Sequence, residues 1–172
     1  MFIRLAAAAA LLFSLTLTAV AEPPVPRVAD DFKVVQPDGK VTTISSLKGK
    51  VVVIQFLSTI CPHCQNFSGK LAQMQQDLGP KGFQAVGIAF IEASPEQTAQ
   101  YASRFAGNAF PIGYASQDAA MGYLRYSPVQ RIGVPQIMVI DKEGIVRAQT
   151  RGMPDGSIQL GIDDLVQKLL AE

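Results

Sequence analysis

Two cysteines, Cys61 and Cys64, stand three residues apart with Pro62 and His63 between them, and they are the only thiols in a chain of 172 residues. A pair at this spacing can exchange disulfides with another molecule, close a local disulfide, or supply part of a metal site. A bond across a two-residue gap closes almost no loop and removes little entropy from the unfolded chain, so stapling is poorly served. A structural zinc needs about four ligands, and the single histidine of the chain already lies inside the pair. Redox exchange is the reading these residues favour over the other two, with a thiolate attacking a disulfide sulfur and a second thiol resolving the mixed disulfide.

The residues around the pair assign the two roles. Val51 to Leu57 is a nearly unbroken apolar run, the pattern of a central strand covered on both faces. A helix is expected over Pro62–Leu78, with Pro62 at the first helical position, where its missing N–H costs nothing. Cys61 then falls at the helix cap. Its sulfur faces unpaired backbone N–H groups and the positive end of the helix dipole, and both favour the thiolate. Phe67, Leu71, Met74 and Leu78 form one apolar stripe, and Cys64 lies on its face, so Cys64 is expected to be the more buried sulfur. Cys61 is the attacking group and Cys64 the resolving one. The His63 ring is expected to donate a hydrogen bond to the Cys61 thiolate and to add positive charge when protonated. Stabilising that thiolate stabilises the reduced form and makes the disulfide a stronger oxidant.

The rest of the chain positions this pair. Residues 1–21 read as a secretory signal peptide: Arg4, then the apolar run Leu5 to Val20, then the small-x-small site Ala19-Val20-Ala21. The alternative is an uncleaved membrane anchor over residues 5–20, a run shorter than the roughly 20 residues a spanning helix needs. No cysteine follows the run, so a lipoprotein anchor is excluded. Export puts the pair in an oxidising compartment, the periplasm or the exterior. Residues 22–30 are proline-rich and read as a flexible tether, and residues 31–172 as one domain. Phe32 to Val35 and Val41 to Ile44 flank the turn Pro37-Asp38-Gly39 and predict a hairpin. Phe83 to Phe90 is a second buried strand. Ser94-Pro95-Glu96-Gln97 opens a second helix, with Ser94 and Gln97 as a capping box. Strands follow near Ile112, over Gln136–Ile140 and over Ile145–Thr150, with a helical piece over Asp118–Leu124 and a closing amphipathic helix through Ile158, Ile162, Leu165, Val166 and Leu169. This order predicts an α/β fold, a central mixed sheet flanked by helices, with the hairpin as an N-terminal extension. Tyr114, Tyr123, Arg125, Tyr126 and Arg131 either line a substrate groove or form a surface loop with partly buried aromatics.

Composition removes several function classes. Hydrophobic residues make up 48% and charged residues 17%, which argues against disorder. Lys and Arg number 15 against 14 Asp and Glu, without a basic run, so nucleic acid is not an expected partner.

Taken together, Val51 to Cys64, Phe83 to Ala89 followed by Ser94-Pro95-Glu96, and Gly133-Val134-Pro135 leading into Ile137 to Asp141 and Gly144 resemble the thioredoxin superfamily. The likeness is greatest to exported TlpA/ResA-type thiol–disulfide oxidoreductases, within the broader group that includes redoxin and AhpC/TSA-type peroxidases. It spans about residues 28–170. It implies a thioredoxin-like fold, a cis Pro135 facing the cysteines, and a Val134 backbone that pairs with the substrate chain. It also implies no cofactor beyond the Cys61–Cys64 disulfide, protein thiols and disulfides of the periplasm as partners, a membrane redox partner, and a monomer. This chain departs from the pattern at three places. Gln55 stands where many relatives carry an acid six residues before the first cysteine, Phe67 where TlpA/ResA-type proteins often have glutamate, and Ile60 where tryptophan is common. The Pro62-His63 dipeptide and the Val134 before the proline resemble DsbA, a thiol oxidase, although the helical insertion of DsbA is absent. The direction of electron flow is therefore open.

Two other activities are weaker fits. A peroxidase of the AhpC/TSA type resembles P-x-x-x-T-x-x-C before its cysteine; here Ile54 and Ser58 occupy the proline and threonine places. A Sco-type metal chaperone resembles this fold but uses C-x-x-x-C and a distant histidine, and this chain has neither.

Overall fold

The structure is a computed structural model describing residues 23–127, 132–150 and 158–172, with side chains of the last helix from residue 161. The expected leader over residues 1–21, and Arg131, lie outside the described residues.

All eight residues of strand β4 (Val51–Ser58) are buried, as its apolar run requires of a strand covered on both faces. Around it the chain forms β1 (Arg27–Val28), β2 (Lys33–Val35), β3 (Val41–Thr43), α1 (Pro62–Leu78), β5 (Phe83–Ile91), α2 (Pro95–Ala106), β6 (Ile112–Tyr114), α3 (Gln117–Tyr123), β7 (Gln136–Ile140), β8 (Ile145–Gln149) and α4 (Ile158–Ala171). The strands form one sheet in the order β1-β8-β7-β4-β5-β6-β2-β3. β4 runs parallel to β5 and antiparallel to β7, so the sheet is mixed. Among the described residues no helix is long and apolar enough to cross a membrane.

Strand alternation sorts the core into two layers. Val51, Val53 and Leu57 of β4 pack with Cys64 and Leu71 of α1, Tyr101 and Ala102 of α2, and Ile162 and Val166 of α4. Val52, Ile54 and Phe56 face the other way, against Met121 of α3, Tyr123, Tyr126 and the hairpin residue Val34. Gln55 shares the parity of Val53 and Leu57, so its amide points into the layer that holds α1 and α2.

Two features differ from the sequence expectations. Within the proline-rich segment 22–30, Arg27 and Val28 pair with Val146 and Ile145 as an edge strand. The Arg27 guanidinium donates to Gln149 Oε1 at 2.6 Å, and Ala29 N–H donates to the Gly144 carbonyl at 2.9 Å. The open edge of β8 offers unpaired backbone groups, and β1 satisfies them. On α1 the fully buried line is Cys64, Ser68, Leu71 and Leu78, with Phe67 and Met74 only half-buried. The buried stripe is rotated by about one residue from its apolar reading, which brings a serine into the core.

Candidate active site

The site lies where β4 hands over to α1. Thr59 N–H donates to the Ile91 carbonyl at 3.3 Å, and the Thr59 hydroxyl donates to the Glu92 carbonyl. Gln65 Nε2 donates to the Thr59 carbonyl at 3.2 Å, tying the loop to the helix it precedes. Cys61 is the N-cap of α1, in extended backbone (φ −81°, ψ 118°), and Pro62 occupies the first helical position. The Cys61 sulfur accepts from the Cys64 backbone N–H at 3.4 Å. This is the contact the cap position offers, an otherwise unpaired helix N–H aimed at sulfur.

The two thiols differ in environment. Both are free; Cys61 is half-buried, whereas Cys64 is 0% exposed. Burial pushes the Cys64 thiol well above the usual thiol range, and the hydrogen bond with the Cys61 side chain adds to this. Pro62 and His63 are exposed on the first turn of α1. Among the described residues His63 makes no hydrogen bond, so the expected bond from its ring to the Cys61 sulfur is absent from this dithiol form. Ile60, just before Cys61, is 68% exposed.

The start of β7 closes the other side. Gln55 is opposite Ile137 and Phe56 opposite Gln136, and this register brings the segment before β7 next to the end of β4. The Val134–Pro135 peptide is cis, as the resemblance implies, and Pro135 is buried while Val134 is half-buried. The Cys61 thiol points at the Val134 carbonyl, 3.7 Å away. Gln136 Nε2 donates to the Gly133 carbonyl at 2.6 Å and holds the loop.

Beneath Cys64 lies a buried polar chain, of which the sequence points to Gln55 but not to Ser68 or Tyr101. Gln55 Nε2 donates to the Cys64 carbonyl at 2.9 Å. Ser68 Oγ donates to Gln55 Oε1 at 2.7 Å and lies 2.8 Å from Tyr101 Oη. Burial raises the Tyr101 phenol above its ordinary range, so it stays protonated. Ser68 could have been found from its place four residues after Cys64, on the same helix face. Tyr101 has no comparable signal, because its meeting with Ser68 depends on how α2 docks.

Other expected neighbours are elsewhere. Tyr123 and Tyr126 are core residues of the opposite layer, and Arg125 pairs with Asp30 at 2.9 Å. The two tyrosine rings pack on the face of β4 opposite Cys64, with Val52, Ile54 and Phe56, and so do not line a groove beside the cysteines. Among the described residues no group of three or more His, Cys, Asp or Glu side chains could hold a metal ion. Ser58 is buried, and its carbonyl accepts Cys61 N–H at 3.3 Å.

With this geometry in view, comparison with known proteins decides the family: the AhpC/TSA family pattern matches residues 25–149. The chain belongs to the AhpC/TSA family. Among solved structures it is similar to a thiol:disulfide interchange protein of the thioredoxin family from Chlorobium tepidum. That match has 28% identity and TM-score 0.70, and covers 86% of this chain and 99% of that one. It is also similar to a candidate protein disulfide isomerase from Bacteroides thetaiotaomicron, at 25% identity and TM-score 0.71, over 87% and 91% of the two chains. The thioredoxin domain of a thiol–disulfide oxidoreductase from Bacteroides vulgatus shares the fold at 18% identity and TM-score 0.65, over 86% and 99%. The fold is thioredoxin-like, and this AhpC/TSA chain is of the thiol–disulfide oxidoreductase type.

Proposed function

We propose that this AhpC/TSA-family chain is an exported thiol–disulfide oxidoreductase that exchanges a Cys61–Cys64 disulfide or dithiol with protein thiols, with no further cofactor. The observation that carries this reading is the asymmetry of the pair: a half-buried Cys61 capped by the Cys64 N–H, in front of a fully buried Cys64.

In the reducing direction, the Cys61 thiolate attacks one sulfur of a client disulfide. The Cys61–client bond forms, and the other client sulfur leaves as a thiolate and takes up a proton. Cys64 then gives up its proton, and its thiolate attacks the Cys61 sulfur. The Cys61–Cys64 bond forms, and the second client sulfur departs. Two electrons pass from the pair to the client, and the reverse sequence oxidises a client. Exposed Ile60 gives the site an apolar rim for an extended client segment, whose backbone pairs with Val134 beside cis Pro135. Pro62 and His63 bias the pair toward its reduced form. The chain acts in the periplasm as a monomer, and a membrane redox partner restores its starting state.

Mixed-disulfide trapping tests this. The Cys64→Ser chain, expressed at full length with its leader, should accumulate disulfide-linked adducts through Cys61 that are released by reductant, whereas the Cys61→Ser chain should form none. Equal adducts from both variants, or none from either, contradict the assignment. Rapid peroxide-driven sulfenate formation on Cys61, surviving loss of Cys64, would favour a peroxidase instead.

A further inference from the structure

The Tyr101 ring packs in the core against Phe105, but packing does not account for the hydrogen-bonded chain Gln55–Ser68–Tyr101 that runs through it. Each member is polar and almost inaccessible, at 0%, 0% and 2% exposure respectively. Each comes from a different element: β4, α1 and α2. A polar group placed in a core costs free energy unless it is paired, and here both ends of the Gln55 amide are used. Its Nε2 grips the Cys64 carbonyl at 2.9 Å, and its Oε1 is fixed by the Ser68 hydroxyl at 2.7 Å, itself 2.8 Å from Tyr101 Oη. The Cys64 carbonyl is in the first turn of α1. A hold on it from the sheet side fixes the height and rotation of the Cys64 backbone relative to Cys61. The chain is also uncharged throughout: an amide, a hydroxyl and a phenol that burial keeps protonated. It can orient Cys64 but offers no carboxylate to take its proton.

We propose that Ser68 and Tyr101, acting through Gln55, are positioning residues for the resolving step: they hold Cys64 where its sulfur can reach Cys61 in the mixed disulfide. This rests on the exchange chemistry proposed above and adds to it which residues set the rate of its second half. In that step the Cys64 proton goes to water, the Cys64–Cys61 bond forms, and the bond from Cys61 to the client breaks with release of the client thiolate. The attack by Cys61 uses none of the three side chains directly: among the described residues none of them is hydrogen-bonded to Cys61, whose sulfur meets the Cys64 N–H and side chain and the Val134 carbonyl.

The test is single-turnover mixing of the reduced full chain with dithionitrobenzoate, an aromatic disulfide that releases one coloured thiolate when Cys61 attacks and a second when Cys64 resolves. Tyr101→Phe and Ser68→Ala each remove one oxygen from the chain. Both should slow the second phase by about tenfold, the effect of one lost buried hydrogen bond on a barrier, and the first phase, which feels Cys64 only through its N–H on the Cys61 sulfur, far less. Gln55→Glu replaces the amide with a titratable group at Cys64, and the second phase should then gain an inflection in its pH profile that the wild type lacks. A general loosening of the fold would slow both phases and add no inflection. Second phases unchanged in Tyr101→Phe and Ser68→Ala overturn the positioning role while leaving exchange intact. A wild-type chain that releases no second thiolate overturns the exchange reading and this inference with it.

Discussion

Cys64 is fully buried and Cys61 is not, and under the proposed function this difference orders the two halves of exchange. Burial holds Cys64 as a thiol at neutral pH. Only its small thiolate fraction can attack Cys61, so the resolving step should be limited by deprotonation. Its rate is expected to rise about tenfold per pH unit between about pH 7 and 9, since the thiolate fraction grows in that proportion below the thiol pKa. Acid-quenched time courses of the mixed disulfide measure this directly, and a flat profile would mean that Cys64 is not the resolving thiol. The polar chain beneath it carries no group that ionises in this range, so the profile should show a single slope.

At the scale of elements, the site depends on how α2 is anchored, because α2 supplies Tyr101. Its N-terminus is a capping box: Ser94 Oγ accepts Gln97 N–H at 3.1 Å, and Gln97 Oε1 accepts Ser94 N–H at 3.0 Å. Ser94→Ala should cost about 1 kcal/mol in chemical denaturation, with the resolving step slowed more than the attack by Cys61. Another junction is where β6 meets β2. A side chain at Gly113 would strike the Val35 carbonyl and come within 2.7 Å of Val34 Cγ1. Gly113→Ala should therefore destabilise by about 1–3 kcal/mol as an overpacked core, read as a lower denaturation midpoint. The bounds of α1, the buried β4 and the capping box were legible in the sequence because each follows from local signals: an apolar run, a proline at a helix start, a serine three residues before a glutamine. The cis Pro135 was legible only through resemblance. β1 was not, since two residues in a proline-rich segment carry no strand period and pair only because β8 leaves an edge open. Nor was the Gln55–Ser68–Tyr101 chain, whose members lie far apart in sequence and meet through docking of three elements.

For the whole molecule, the raised Cys64 thiol links redox state to stability. The folded, reduced protein binds that proton more tightly than the unfolded chain does. This stabilisation is fully present below the unfolded thiol pKa of about 8.5 and is lost as pH rises beyond it. Reduced protein should therefore lose stability between about pH 8.5 and 10, before the buried tyrosines contribute, while the oxidised protein, lacking the proton, should not. Parallel Tm series on the two redox forms check this, and coincident curves would contradict it. On the proposed reading the pair exchanges with another molecule, since the chain has no further thiol to take its disulfide. The reduction potential of the Cys61–Cys64 couple in the full chain, equilibrated against glutathione, tests that claim most directly. The helix N-terminus at Cys61, together with the role proposed above for His63, leads to a predicted value more oxidising than the about −270 mV of thioredoxin, toward the about −120 mV of DsbA. A value below that range, above all one under about −300 mV where structural disulfides lie, would contradict the account.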